Sequence, residues 1–364
     1  MGIRAESLTV GDFRSYRTYE LGLARGVTVL VGPNAAGKTN LVEALQILTA
    51  AQSFRHPAPR ELVRAGADAG FAELTLTGDG RRIDHRLEIR AGRRSFARNG
   101  KRCAAADIRG TLPSVLFCPD DLDMVKRSAS VRRAALDGFG VQLSQRYADL
   151  ASSYDRIVSQ RNDLLRDPAR DPISLEAWTD ALCSTAAALT AHRLNLLARI
   201  RARFREVYAA LSGGEEADVS YAPAVPIPVE VPADREAIRA ALEAALAERA
   251  EEEVRRGLTL VGPHRDELAF SICGRAARAY GSQGQQRSVV LAWKIAEVEV
   301  TRDILGCSPL LLLDDVMSEL DAARRAAVVR FVEDGIQAVI TTANLGYFTD
   351  DLLEAAKVVR IDGA

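Results

Sequence analysis

The segment Gly32-Pro33-Asn34-Ala35-Ala36-Gly37-Lys38-Thr39 combines residue types that can hold a polyphosphate. Its spacing, G-x-x-x-x-G-K-T, lets glycines curl the backbone so that several amides face phosphate oxygens at a helix start, where the helix dipole also favours negative charge. Lys38 would reach the β- and γ-phosphates, and the Thr39 hydroxyl would ligate Mg²⁺. The flanks suit that chemistry. A β-branched run, Val27-Thr28-Val29-Leu30-Val31, leads in, and residues 39–48 lead out with helical spacing. The expected nucleotide contacts of this segment are Gly32, Asn34, Gly37, Lys38, Thr39 and Asn40, with ATP and Mg²⁺ as cofactors.

Leu310-Leu311-Leu312-Leu313-Asp314-Asp315 supplies the acidic side of such a site. Four consecutive leucines cannot form a one-sided strand, so they read as the centre of a parallel sheet covered on both faces. That strand delivers two carboxylates to its carboxyl edge, where open α/β sheets place ligands. Asp314 would hold Mg²⁺, directly or through water, and Asp315 would orient or deprotonate an attacking water. A third segment, Gly281-Ser282-Gln283-Gly284-Gln285-Gln286, puts a serine before a helical run to about Ile304. A serine N-cap with free amides behind it makes an anion site, and equally it simply starts a helix.

Ser282-Gln283-Gly284-Gln285 resembles the signature of ABC-type ATPases, which implies Ser282, Gly284 and Gln285 as nucleotide contacts and Ser282 as a catalytic partner of Lys38 and Asp315. In those ATPases the signature lies too far from its own phosphate loop to reach the same nucleotide. The resemblance therefore implies an ATP-dependent, head-to-tail homodimer, each ATP lying between one subunit's Lys38 and the other's Ser282. Transporter cassettes, SMC-type chromosome proteins and the RecF family share these motifs, and spacing separates them. Roughly 240 residues lie between loop and signature, more than a compact cassette needs and too few for an SMC coiled coil.

Smaller motifs resemble those of the RecF family. Asp12-Phe13-Arg14-Ser15-Tyr16 is similar to its "NFRSY", with Asp12 in place of Asn, and adds Arg14 to the expected nucleotide contacts. Gly32 to Leu41 resembles "GPNGQGKTNL", departing at Ala35-Ala36. Ser53-Phe54-Arg55, Phe117-Cys118-Pro119-Asp120-Asp121-Leu122, Gly262-Pro263-His264-Arg265-Asp266 and the stretch Leu313 to Asp321 match further blocks. The likeness covers both chain ends and is thin between about Tyr147 and Arg255. It implies an ATP-gated DNA-binding protein of recombinational repair and the SOS response, with slow, DNA-stimulated hydrolysis. By the same resemblance it would recognise gapped DNA and single-/double-strand junctions, work with RecR and RecO, promote RecA loading, and be cytoplasmic and nucleoid-associated. A transporter's ATPase subunit is the alternative, disfavoured because no histidine follows Thr342, where cassettes carry a switch histidine; Thr342 or Asn344 would have to sense the γ-phosphate. A structural SMC-like tether is a third reading, disfavoured by the short helical section.

The whole chain bounds these readings. Its 364 residues suffice for two domains, and no apolar stretch approaches a membrane span or signal peptide. Five widely spaced cysteines without CxxC suit a reducing compartment. A net charge of −1 excludes a globally basic nucleic-acid binder and allows a local basic face. Residues 81–102 carry nine basic side chains against Asp84 and Glu88, and Asn99-Gly100 reads as a tight hairpin turn. Arg93, Arg94, Arg98, Lys101 and Arg102 are the candidate DNA contacts there; a solvated face is the competing reading in a chain with 43 Arg and 5 Lys. Helices are expected at about 144–165, 175–211 and 233–256, with Tyr221 to Pro232 extended between the last two as an edge strand or linker. Arg193, Arg199, Arg201, Arg203 and Arg205 on the middle helix are open to the same two readings. The expected fold is α/β, an ABC-type, SMC-like P-loop ATPase head built from residues 1–125 and 257–364, with a helical arm domain at 126–256.

Overall fold

The computed structural model describes residues 2–169, 171–333 and 335–363. The chain opens with strands β1 (Arg4–Phe13), β2 (Tyr16–Gly22) and β3 (Val27–Val31), then helix α1 (Lys38–Ala50). Strands β4 (Ala69–Gly78), β5 (Arg81–Arg90), β6 (Arg93–Arg98) and β7 (Lys101–Cys103), the short helix α2 (Ala105–Ile108) and β8 (Ser114–Phe117) complete the N-terminal section. The middle contains α3 (Ala129–Leu143), α4 (Gln145–Arg166), α5 (Pro172–Ser212), β9 (Ala217–Ala222), α6 (Arg235–Arg256), β10 (Glu267–Ile272), β11 (Arg275–Ala276), α7 (Ala277–Tyr280) and α8 (Gln283–Leu305). The C-terminal section adds β12 (Leu310–Asp314), α9 (Ala322–Glu333), β13 (Ala338–Thr342), α10 (Asp350–Ala355) and β14 (Lys357–Arg360).

By packing, the chain divides into residues Met1–Leu122 with Glu297–Ala364, and Asp123–Ala296. The first unit has two sheets. One is antiparallel, in the order β2-β1-β4-β5-β6-β7, and the other is parallel, in the order β14-β3-β13-β12-β8. Helix α1 packs against strands of both, and every residue from Leu41 to Ala50 is buried, the polar Glu43, Gln46 and Thr49 among them. Leu8, Phe13, Leu41, Leu45, Leu74, Leu87 and Leu312 share the resulting core. The four leucines of β12 are flanked in register by β13 and β8 and are all buried, as a strand covered on both faces requires.

The second unit joins helices α3–α6 to the sheet β11-β10-β9. Asp171 caps α5 by accepting from the Ile173 and Ser174 amides, and Gly213 ends it in the left-handed conformation. The composition change near residue 256 does not coincide with the change in packing, which falls inside α8. Pairing of β9 with β10 ties residues 267–272 to the middle section. The extended stretch after α5 contributes its first two residues to β9, which is a sheet edge.

Buried charges knit this unit. Arg161 reaches Glu253 at 2.6 Å, both side chains nearly inaccessible, and Arg193 reaches Asp137 at 2.6 Å. The block Gly262-Pro263-His264-Arg265-Asp266, apart from the exposed Arg265, is tied into the interior. Tyr154 donates to His264 Nδ1 at 2.6 Å, Arg193 donates to the Pro263 carbonyl at 2.5 Å, and Tyr221 donates to Asp266. Burial lowers His264 to about 4, so its ring is neutral and Nε2 donates to the Thr259 carbonyl. Glu253→Gln should destabilise this unit by about 3–5 kcal/mol, because Arg161 would remain buried without a counter-charge. Chemical denaturation measures it, and a cost near zero would show the pair to be a spectator.

Candidate nucleotide site

The phosphate loop follows β3 and ends where α1 begins. Gly37 has φ of 104°, a conformation that favours glycine, and its amide and those after it open α1. Gly32 is needed for a different reason: a Cβ there would lie 2.1 Å from the Ile361 carbonyl oxygen beside β14. Lys38 is almost fully buried, and its Nζ donates to the carbonyls of Gly32 and Pro33 at 2.8 Å each. Asn34, Ala35, Gly37, Lys38, Thr39, Asn40, Arg55 and Asp315 line one cavity of about 410 Å³.

The carboxylates arrive from β12. Sheet order puts β13 between β3 and β12, and Thr341 of β13 lies opposite Asp314. Asp314 Oδ1 accepts from Thr341 at 2.8 Å and from Thr39 at 3.0 Å. The Asp315 amide donates to the Thr341 hydroxyl at 2.9 Å. Asp315 itself has φ of 53°, unusual for a non-glycine residue and a strain often concentrated at functional sites. Burial pushes both carboxyls above their ordinary range. Hydrogen bonds from Thr341 and Thr39 oppose this at Asp314, and Lys38 opposes it at Asp315.

Glu43 is the hidden centre of the site. Its side chain has no exposure; it accepts from Arg14 Nη2 at 2.7 Å and Nε at 2.8 Å, and from Ser53 at 2.6 Å. Arg55 Nη1 lies 3.4 Å from Glu43 and 2.9 Å from Asn40 Oδ1. Arg14 also donates to the Glu61 carbonyl at 2.8 Å, so its guanidinium is committed, and it does not line the cavity. The arginine on the cavity wall is Arg55, which the sequence offered only as part of Ser53-Phe54-Arg55. Thr342 and Asn344 are engaged with each other, Thr342 donating to the Asn344 carbonyl at 2.9 Å. Thr341 is the threonine that touches the carboxylate edge.

Ser282, Gly284 and Gln285 belong to the second unit. Ser282 is exposed and shares a reciprocal capping box with Gln285: its Oγ accepts the Gln285 amide at 3.2 Å, and Gln285 Oε1 accepts the Ser282 amide at 2.9 Å. The Gln285 side-chain amide continues to Glu215 at 2.8 Å. The five basic candidates of β6 and β7 are split between faces. Register pairs Arg94 with Ile89, Arg98 with His85, and Lys101 with Arg98, so these three share the core-facing side of the sheet. Arg93, opposite Arg90, and Arg102, opposite Ala97, point the other way, where Arg86 is already paired with Glu73 and Glu88.

A family model described as the RecF/RecN/SMC N terminal domain matches residues 4–361. A protein of Cyanothece sp. (strain PCC 7425 / ATCC 29141) named DNA replication and repair protein RecF is 39% identical, the match covering 98% of this chain and 96% of that one. The chain belongs to the RecF family. A RecF of Heliobacterium modesticaldum (strain ATCC 51547 / Ice1) is 38% identical over 99% of this chain and 97% of its own. The solved "Structure of the recombination mediator protein RecF-ATPrS in RecFOR pathway" superposes with a TM-score of 0.89 at 28% identity, covering 96% of this chain and 94% of that one. An Smc head domain derived from Pyrococcus furiosus, at 17% identity and a TM-score of 0.57, shares the fold, which is the α/β ABC-type ATPase head.

The raised carboxyl at Asp314 gives a signed prediction. Because the fold favours its protonated form, this contribution to stability is complete below the ordinary carboxyl range and is lost as pH rises through the raised value. Asp314→Asn removes the charge and keeps an acceptor for both threonines. The nucleotide-free variant should therefore melt above wild type at pH 7, with the gap closing as pH falls toward about 3. A variant that melts below wild type at pH 7 would show the carboxylate to be a folding requirement.

Proposed function

We propose that this protein is an ATP-gated, DNA-binding ATPase of recombinational DNA repair. The observation that carries the reading is the convergence of Lys38, Thr39, Asp314 and Asp315 at one sheet edge in a chain that is RecF-like along its length. Lys38 would leave the Gly32 and Pro33 carbonyls for the β- and γ-phosphates. Thr39 and Asp314, already within hydrogen-bond distance, are the residues that would hold Mg²⁺, which would neutralise phosphate charge. Asp315, with a carboxyl raised toward neutrality, would accept a proton from the attacking water. Aspartate is one methylene shorter than glutamate, so its reach to water is longer and turnover is slow and switch-like.

Ser282 would act on the ATP held by a second copy in a head-to-tail dimer. Three variants separate the roles. Lys38→Met should abolish nucleotide-dependent assembly, Asp315→Asn should bind ATP, dimerise and stall, and Ser282→Arg should bind ATP yet stay monomeric. Mixing Ser282→Arg with Lys38→Met leaves one intact composite site per heterodimer, so partial ATP-dependent association should appear only in the mixture, read by light scattering. Normal dimerisation of Ser282→Arg alone would reduce the signature to a helix cap.

DNA would be held by backbone charge. Arg90, Arg93 and Arg102 are exposed on one face of the antiparallel sheet, with Arg90 and Arg93 directly opposite each other. Like charges at that spacing destabilise a hairpin and favour a polyanion beside it. We carry over from the family a preference for gapped and junction DNA, work with RecR and RecO toward RecA loading, and a cytoplasmic, nucleoid-associated location. The RecFOR pathway is named for the structural relative. Neutralising Arg90, Arg93 and Arg102 should flatten the slope of log affinity against log salt by about one unit for each phosphate no longer neutralised, and neutralising Arg94 and Arg98 should change it less. The reverse order would move the DNA to the other face.

A further inference from the structure

Tyr16, on β2, is 3% exposed, and its hydroxyl is one of the few buried side-chain polar atoms with no hydrogen-bond partner among the described residues. Its position is informative. A Cβ built on Gly37 would lie 2.7 Å from that hydroxyl and 2.9 Å from the ring carbon bearing it, so the tip of Tyr16 rests on the phosphate loop. Tyr19 flanks the ring at 5.2 Å between centroids. Burial raises the Tyr16 hydroxyl well above its ordinary range, so it stays protonated and can donate at any working pH. A buried donor left unmade is costly, and such groups in folded proteins call for an explanation.

The loop supplies the complementary need. In this arrangement Lys38 satisfies the carbonyls of Gly32 and Pro33. A polyphosphate that captures Lys38 would strip those acceptors of their donor, and both lie in the same tight loop as Gly37, on which the orphan hydroxyl rests. We propose that Tyr16 is a positioning residue of the phosphate loop, its hydroxyl gaining a backbone acceptor in the loop when bound polyphosphate draws Lys38 away. The donor exchange makes nucleotide binding tighter by one hydrogen bond that the empty site does not have. It rests on the nucleotide reading above and adds a residue outside the G-x-x-x-x-G-K-T segment.

Tyr16→Phe tests it, because phenylalanine keeps the ring against Gly37 and deletes only the hydroxyl. Thermal melting of the nucleotide-free variant should match or exceed wild type. Calorimetric affinity for MgATP, MgADP and inorganic tripolyphosphate should fall by a common factor of about three to ten. Equal affinities in variant and wild type would overturn the proposal. So would a loss of affinity accompanied by a lower melting temperature, which marks a packing role, or a loss confined to the two nucleotides, which marks a contact with the nucleoside. A wild-type chain that binds none of the three would overturn the nucleotide reading itself and this proposal with it.

Discussion

A carboxylate with no solvent exposure, Glu43, stands in the first half of the helix that follows the phosphate loop. Left alone there it would be among the most costly groups in the molecule, since a buried charge without a partner is strongly destabilising. Its compensation organises what surrounds it. The β1–β2 turn delivers Arg14 as a two-point partner, and the segment after α1 returns to deliver Ser53 and Arg55. Because Arg55 is also tied to Asn40, the same neutralisation sets a cation on the cavity wall. A helix sandwiched between two sheets has little freedom, and this polar knot fixes the remaining part of its surface that the apolar core does not.

The acidic edge depends on strand order in the same way. A direct β3–β12 neighbour would bring the loop and the carboxylates together without an intermediary. With β13 between them, Thr341 becomes the relay: it donates to Asp314, accepts from the Asp315 amide, and leaves Asp314 free to reach Thr39. The left-handed turn at Asp315 then follows from its amide being held back toward β13 while its carboxylate lines the cavity. Two adjacent aspartates thus receive different environments, one closed in by hydroxyls and one lining the cavity.

Local signals carried most of the fold. The run Val27 to Val31, the four leucines before Asp314, the serine before α8 and the Asn99-Gly100 turn each name their element by residues next to one another, and each element is where those residues placed it. What stayed hidden is long-range. From sequence Arg14 is an expected nucleotide contact and Arg55 only part of a matched block, whereas the depth of Glu43 draws Arg14 into a two-point pair and Arg55 lines the cavity. Thr341 faces Asp314 because strand register, not motif position, sets which hydroxyl meets that carboxylate. The basic strands differ: Arg93 and Arg94 are adjacent, and period-two alternation alone forbids them a common face, so no single surface can hold the whole cluster. The second packing boundary was obscured because β9 and β10 pair across a whole helix, and composition does not see such a contact.

In the helical unit, Arg161, Arg193, His264 and Asp266 are drawn into the interior, and each has hydrogen-bond partners, so the network contributes a defined packing arrangement. At the phosphate-loop edge the demands are left open: two carboxyls pushed toward protonation, a non-glycine residue at φ of 53°, and a tyrosine hydroxyl without an acceptor. Such features persist only where surrounding structure over-determines them, and each costs stability. A ligand that brought cations to the carboxyls and drew Lys38 outward would relieve several of them at once. A switch requires two states that differ in more than the contacts a ligand itself makes, and unmet demands gathered at one sheet edge are the kind of feature from which such a difference can be built.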